Sequence, residues 1–156
     1  VHTLTLSYCD NLTDIAALGT VHTLTLDDCD GITDVAALGT VHTLTLHNCR
    51  GITDVAALGT VNTLDINCSN IKDISALGTV NTLDINCSNI HDVSNLGNVH
   101  TLTLRNCDNI KDISALRNVH TLTIEKYPNI INIELINNRL LTLKKCDMIV
   151  TSKINT

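Results

Sequence analysis

The sequence predicts an α/β-type solenoid: a right-handed superhelix of about eight coils, each with one short parallel strand and a short helical or 3₁₀ turn on the opposite side. Three observations predict it. The same apolar spacing restarts at Val1, Val21, Val41, Val61, Val80, Val99 and Val119, in steps of 20, 20, 20, 19, 19 and 20 residues. The chain has 22 Thr and 18 Asn among 156 residues but only two Tyr and no Phe or Trp, a bias that suits a narrow, regular architecture. With 44% apolar residues it can bury a sizeable core without disulfides or metals, and it is neither collagen-like, disordered nor membrane-spanning.

Within the first coil the apolar residues are Val1, Leu4, Leu6, Cys9, Leu12, Ile15 and Leu18. Leu4-Thr5-Leu6 alternates inward and outward as a strand does. Ile15 and Leu18 lie three apart across Asp14-Ile15-Ala16-Ala17-Leu18, which leaves room for a single turn of helix or 3₁₀. Gly19 then supplies a turn. A coil this short cannot cover its own apolar edges. The roughly 1.5–3 kcal/mol available per buried side chain is gained only when neighbours stack on both sides. Aligning Leu141-Thr142-Leu143 with Leu122-Thr123-Ile124 adds a degenerate coil over 138–156, so 1–137 are regular repeats within a single domain, 1–156.

Val1-x-x-Leu4-x-Leu6-x-x-Cys9-x-x-Leu12-Thr13-Asp14 resembles the strand segment of leucine-rich repeats, in particular the cysteine-containing kind with its C-x-x-I-T-D continuation. The resemblance covers nearly the whole chain. The short coil, the Asp-Ile/Val pair before the last Leu and the near-identical units Gly-Thr-Val-His-Thr-Leu-Thr-Leu also resemble leucine-rich repeat proteins encoded by giant DNA viruses of amoebae. That resemblance implies a host-directed role, such as adaptor or effector, in the cytoplasm of an infected cell.

The change in coil length has a local address. In the 20-residue coils Cys9, Cys29, Cys49 or Cys107 stands five after the first strand Leu, and the next apolar residue follows three later. In the 19-residue coils from Val61 and Val80 that place is Ser69 or Ser88, and Ile71 or Ile90 follows two later. The deletion therefore falls at the strand exit, and Cys68 and Cys87 are expected to point differently from the other cysteines. Seven Cys is an odd number, so full intramolecular pairing is excluded. Coils about 4.8 Å apart also hold equivalent Cβ atoms beyond the ~3.8 Å disulfide mean. Free, mostly buried thiols suit a reducing cytoplasm. The sequons at Asn11, Asn67 and Asn86 would be surface acceptors in a secreted chain. Because Val1 falls in mid-pattern, the chain is expected to be a fragment of a longer one.

Residues three, five and seven of each coil point away from the core, on the face solenoids use for binding. Position three is Thr3, Thr23, Thr43, Thr63, Thr82, Thr101 and Thr121. Position five is Thr5, Thr25, Thr45, Asp65, Asp84, Thr103, Thr123 and Thr142. Position seven varies: Ser7, Asp27, His47, Asn67, Asn86, Arg105, Glu125, Lys144. Two near-constant columns beside a variable one suggest a β-favouring platform with a specificity stripe, which makes a non-catalytic protein-binding module the primary expectation. The bland reading of the Thr columns is a polar sheet held by Thr–Thr hydrogen bonds across the ladder. One alternative function is ice binding, since Thr-x-Thr arrays on flat solenoid sheets resemble those of β-helical antifreeze proteins; Asp65 and Asp84 interrupt that array at its centre. Another is a structural, self-assembling rod.

Charge is unevenly placed. Residues 1–98 hold Arg50 and Lys72 against eleven Asp, a net of −9, while 99–156 hold eight basic against five acidic residues, a net of +3. This polarity favours an oppositely polarised partner or head-to-tail self-association. The basic cluster Arg139, Lys144, Lys145 and Lys153 is small and has only Tyr127 nearby, so nucleic acid is not an expected partner, and neither is a membrane. Pro128, Asn137-Asn138 and the terminal lysines suggest an exit cap. Leu4 and Leu6 would lie at an open N-terminal edge, where the chain continues or two molecules meet.

Two further columns resemble sites. Asp14, Asp34, Asp54, Asp73, Asp92 and Asp112 precede the helical turn, where a short carboxylate caps backbone N–H groups; one per coil makes a poor calcium cage. Asp, His and Cys recur in every coil without a distinguished position, and nothing resembles a nucleophile elbow or phosphate loop, so no enzyme, metal or cofactor is expected. His2, His22, His42, His100 and His120 share a column with Asn62 and Asn81, and the Asn replacements speak against a metal ladder. Stacked imidazoles repel once protonated. Equilibrium unfolding is therefore expected to show stability falling below about pH 6, and an acid titration with no such loss removes the idea.

Overall fold

The computed structural model describes residues 2–126 and 140–144. Eight strands, β1 (Thr3–Ser7), β2 (Thr23–Asp27), β3 (Thr43–His47), β4 (Thr63–Asn67), β5 (Thr82–Asn86), β6 (Thr101–Arg105), β7 (Thr121–Glu125) and β8 (Leu140–Lys144), form one parallel sheet in sequence order. The register is that of the repeat. Leu4 pairs with Leu24, and at the far end Leu122, Thr123 and Ile124 pair with Leu141, Thr142 and Leu143. Across the core stand 3₁₀ turns at Ala16–Thr20, Ala36–Thr40, Ala56–Thr60, Ser75–Thr79, Ser94–Asn98 and Ser114–Asn118. This is the one-strand-per-coil solenoid that the spacing predicts and that the leucine-rich repeat resemblance implies. The features read as an exit cap, Pro128, Asn137, Asn138, Lys145 and Lys153, lie outside the described residues, as do Tyr127 and Arg139.

Each coil contributes one ring of apolar side chains. In the second they are Val21, Leu24, Leu26, Cys29, Ile32, Val35 and Leu38, all at most 5% exposed. Among the described residues no polar or charged side chain joins them. In the first coil Leu4, Leu6, Cys9, Leu12 and Leu18 are partly buried.

Gly19 lies in the turn expected of it, Ala16–Thr20, but no described glycine has positive φ. A Cβ at Gly19, Gly39, Gly59 or Gly78 would instead overlap the carbonyl oxygen of Ala37, Ala57, Ala76 or Asn95 in the next coil. At these positions the turns stack too closely for a Cβ, whereas the sixth turn carries Arg117 at the same place.

The length change also resolves differently. Tyr8, Asp28, Asn48, Asn106 and Lys126 follow directly on their strands and stand at φ between 50° and 56°. Their N–H groups reach the last strand residue of the next coil, as Asp28 does to the His47 carbonyl at 3.0 Å and Asn48 to that of Asn67 at 2.8 Å. Each is a bulge residue in the left-handed region, which Asn and Asp tolerate better than Tyr or Lys. The added residue shifts the alternation by one, so Cys29, Cys49 and Cys107 still enter the core. After β4 and β5 no residue has positive φ, and Cys68 and Cys87 follow by plain alternation. They therefore do not point differently: at 0% and 1% exposure they continue the same ladder. Only their bonding changes. Cys49 Sγ donates to its own coil's His47 carbonyl at 3.2 Å and lies 3.6 Å from that of Leu26, whereas Cys68 Sγ donates to Leu46 at 3.4 Å.

Because Gly59 has ordinary φ and its problem is space alone, Gly59→Ala is expected to lower stability by about 1–3 kcal/mol through overpacking. Urea unfolding checks this, and an unchanged midpoint would show that the turns have room to separate.

Candidate interaction surface

The sheet face opposite the core carries all the residues singled out from the sequence, each at its expected strand position. From β2 to β7 these residues are half-buried, because neighbouring strands crowd them. Thr3, Thr23, Thr43, Thr63, Thr82, Thr101 and Thr121 run in register, and so do Thr5, Thr25 and Thr45. Five of the position-three hydroxyls, those of Thr23, Thr43, Thr63, Thr101 and Thr121, bond within their own coil, where Thr–Thr bonds were expected. His22, His42, His100 and His120 set Nδ1 against the next Thr Oγ1 at 3.1–3.3 Å, and Thr63 donates to the Asn62 amide oxygen at 3.4 Å. The imidazoles stack, with centroids 4.6 Å apart for His2–His22 and His22–His42 and 4.4 Å for His100–His120.

Where Asp replaces Thr, a chain of ion pairs crosses the face diagonally. His47 Nε2 lies 3.4 Å from Asp65 Oδ2, and Asp65 faces Asp84 across β4 and β5. Arg105 Nη2 reaches Asp84 Oδ2 at 2.8 Å, and its Nε lies 3.5 Å from Glu125 Oε2. Lys144 Nζ closes the row on Glu125 Oε1 at 2.8 Å. Six residues from six consecutive coils thus form one ribbon of charged and titratable groups on a platform otherwise composed mostly of Thr and Asn. Ser7 and the Asp27 carboxylate lie beyond its N-terminal end.

Burial pushes the Asp84 carboxyl up to about 6; Arg105 opposes the shift, while the like charges of Asp65 and Glu125 add to it. Its Oδ1 is buried without a hydrogen-bond partner. The bond from Lys144 holds Glu125 below the usual range. The other acidic column is structural. Asp14, Asp34, Asp54, Asp73, Asp92 and Asp112 each accept from the backbone N–H two residues on at 2.8–3.0 Å. Those bonds, with the Ser75 and Ser114 hydroxyls, lower the acids Asp73 and Asp112. Burial raises the thiols of Cys29 and Cys87, and that of Cys107 to about 11, so these cysteines are neutral core groups. Among the described residues no cluster of three His, Cys, Asp or Glu is placed to hold a metal, and no helix is long and apolar enough to cross a membrane.

Sequence reasoning missed one feature. At the strand exits of the two short coils lies a hollow of about 300 Å³, lined by Asn48, Asn67, Ser69, Asn86, Ser88 and Asn106 with Arg50 beside them. Its signal in the sequence was the pair of missing residues, which was read as a change of cysteine direction.

One strand per coil, the in-register sheet and the buried thiol row define a leucine-rich repeat solenoid with a cysteine ladder. Similar solved structures come from Listeria monocytogenes. An internalin (InlF) matches at TM-score 0.64 and 20% identity, over 95% of this chain and 49% of that one; internalin C2 (InlC2) matches at 0.59 and 25%, over 86% and 66%. The functional domain of InlJ, which includes a cysteine ladder, aligns at TM-score 0.40 and 17% identity over 94% of this chain and 47% of its own, a likeness too loose to argue from. The chain spans about half the length of the first of these structures. No family model matches the sequence, and no curated protein does.

The raised carboxyl of Asp84 has a definite sign in stability. The folded state holds this proton more tightly than the unfolded chain, so stability falls as pH rises from about 4 through about 6 and the penalty is complete above that. Relative to wild type, Asp84→Asn is expected to gain up to about 3 kcal/mol between pH 4 and pH 7. Unfolding of both proteins across that range tests it; parallel curves would show that Asp84 ionises as it does in water.

Proposed function

We propose that this chain is a non-catalytic protein-interaction module whose partner docks on the sheet face, over the charged ribbon. The observation that carries the reading is that Asp65 and Asp84 replace Thr at the middle of a regular column, directly opposite each other. Like charges facing across a sheet are destabilising, so the fold by itself gives no reason for them. Arg105, Glu125 and Lys144 extend the same departure over neighbouring coils. Regularity broken by charge on an extended solenoid face is what selective recognition requires. The fold shared with the internalin structures supports a binding module in general terms. The ribbon also argues against an ice-binding surface, which needs its Thr lattice unbroken. Together with the viral resemblance of the repeat units, the reading makes the partner a host protein and the compartment its cytoplasm.

Affinity capture from a host-cell extract, wild type against Asp65→Ala/Asp84→Ala/Arg105→Ala, tests the site. Removing charges buried in an interface costs about 2–5 kcal/mol, so recovery of the partner is expected to drop at least tenfold. Equal recovery from the folded variant would refute the sheet-face site.

A further inference from the structure

The hollow beside the ribbon is a consequence of the two short coils. In the coils before and after them, Asn48 and Asn106 swing into the left-handed region and stand out at the strand exit. β4 and β5 lack that residue, so the exit surface drops between two raised walls. The walls are three strand spacings apart, roughly 14 Å, which matches about four residues of extended chain at roughly 3.3 Å each. A hollow of about 300 Å³ is at the lower end of ligand-site volumes.

The lining tells what it fits. Asn48, Asn67, Asn86 and Asn106 bring side-chain amides, and Ser69 and Ser88 bring hydroxyls. Each of these groups both donates and accepts, as a peptide backbone does at every residue. Asn106 Nδ2 already donates to Asn86 Oδ1 at 2.7 Å, which fixes two of the amides in orientation. The one charged side chain of the lining is Arg50, whose Nη1 lies 3.8 Å from Asp30 Oδ2 in the coil before; the lining contains no carboxylate and no aromatic ring on which a base could stack.

Charge supplies the remaining constraint. Asp65 and Asp84 precede Asn67 and Asn86 by two residues on the same face, roughly 7 Å away, within reach of a long basic side chain. Arg105 is shared between Asp84 and Glu125. The three carboxylates of the ribbon thus face two permanent cations, Arg105 and Lys144.

We propose that the hollow between Asn48 and Asn106 receives about four residues of extended chain from the protein partner, one of them a lysine or arginine whose charge lies against Asp65 and Asp84. The backbone of that segment pairs with the amides and hydroxyls, and its cation relieves the repulsion between the two aspartates. This inference rests on the sheet-face reading above and adds the chemistry of the partner.

Panning a phage-displayed library of random dodecapeptides on the full chain tests it. The selected peptides are expected to share a lysine or arginine at one position. A synthetic peptide of that sequence, followed by fluorescence polarisation, is expected to bind at least tenfold more weakly to two variants. One inserts an Asn after Asn67 and another after Asn86, restoring the exits of the longer coils; the other, Ser69→Gln/Ser88→Gln, narrows the hollow at exposed positions and leaves the strands untouched. Replacing the basic residue of the peptide by norleucine is expected to weaken binding similarly, and raising salt to weaken the parent peptide. No selected peptide, no basic position in those selected, or equal binding to the folded Gln variant would overturn the hollow. If the hollow variants still capture the cellular partner while the Asp65/Asp84/Arg105 variant does not, the hollow is wrong and the sheet-face reading stands.

Discussion

A coil of 19 or 20 residues has two open apolar edges, and closing them against neighbours is the constraint on which every other feature depends. It explains why inward positions accept only Leu, Ile, Val and Cys: each must match the same residue one strand spacing away, and a ring would have to stack at every coil. It sets the glycine column, where the turns come closer than a Cβ permits. It also explains the polar ladders. Thr40, Thr60 and Thr79 donate to the Gly19, Gly39 and Gly59 carbonyls at 2.6–2.7 Å, and Asn70, Asn89 and Asn109 donate to the Arg50, Ser69 and Ser88 carbonyls at 2.5–2.7 Å. These bonds satisfy backbone oxygens at bends where neither strand nor 3₁₀ turn supplies a partner. The excess of Thr and Asn in the sequence is therefore partly the hydrogen bonding of stacked turns.

Stacking is also why so much of the fold is legible in the sequence. A pattern repeated in register writes the strand, the core ring and the cap of each 3₁₀ turn six times over among the described residues, and the Asp carboxylates cap as their position implies. The departures share one cause: each depends on a backbone angle or a distance between coils, which residue identity within one coil does not carry. Gly19 was read through φ when spacing governs it. Cys68 and Cys87 were read through alternation alone, without the left-handed residue that restores the phase of the longer coils. Asn48 and Asn106 carry the signature of that conformation, but Tyr8 and Lys126 occupy the same place without it. The charged residues of the surface were identifiable one by one, while their joining into a ribbon required strand register and side-chain reach together.

The two short coils and the two aspartates coincide, and the energetics of a solenoid suggest why. Both departures weaken the coil that carries them: one gives up a bulge residue and its hydrogen bond to the next coil, the other sets like charges face to face with one carboxylate oxygen unsatisfied. In a linear array each coil's stability is its own plus that of its two interfaces, so a weak coil survives where both neighbours are strong. Coils 4 and 5 are held between regular coils, with β3 paired to β4 and β6 paired to β5. A costly surface feature is thus most tolerable where regular coils flank it, and it is there that the hollow, the acid pair and its compensating arginine are found together. Strained or unsatisfied groups that a fold does not need are expected at sites of function, and here the geometry of stacking decides which coils can hold them.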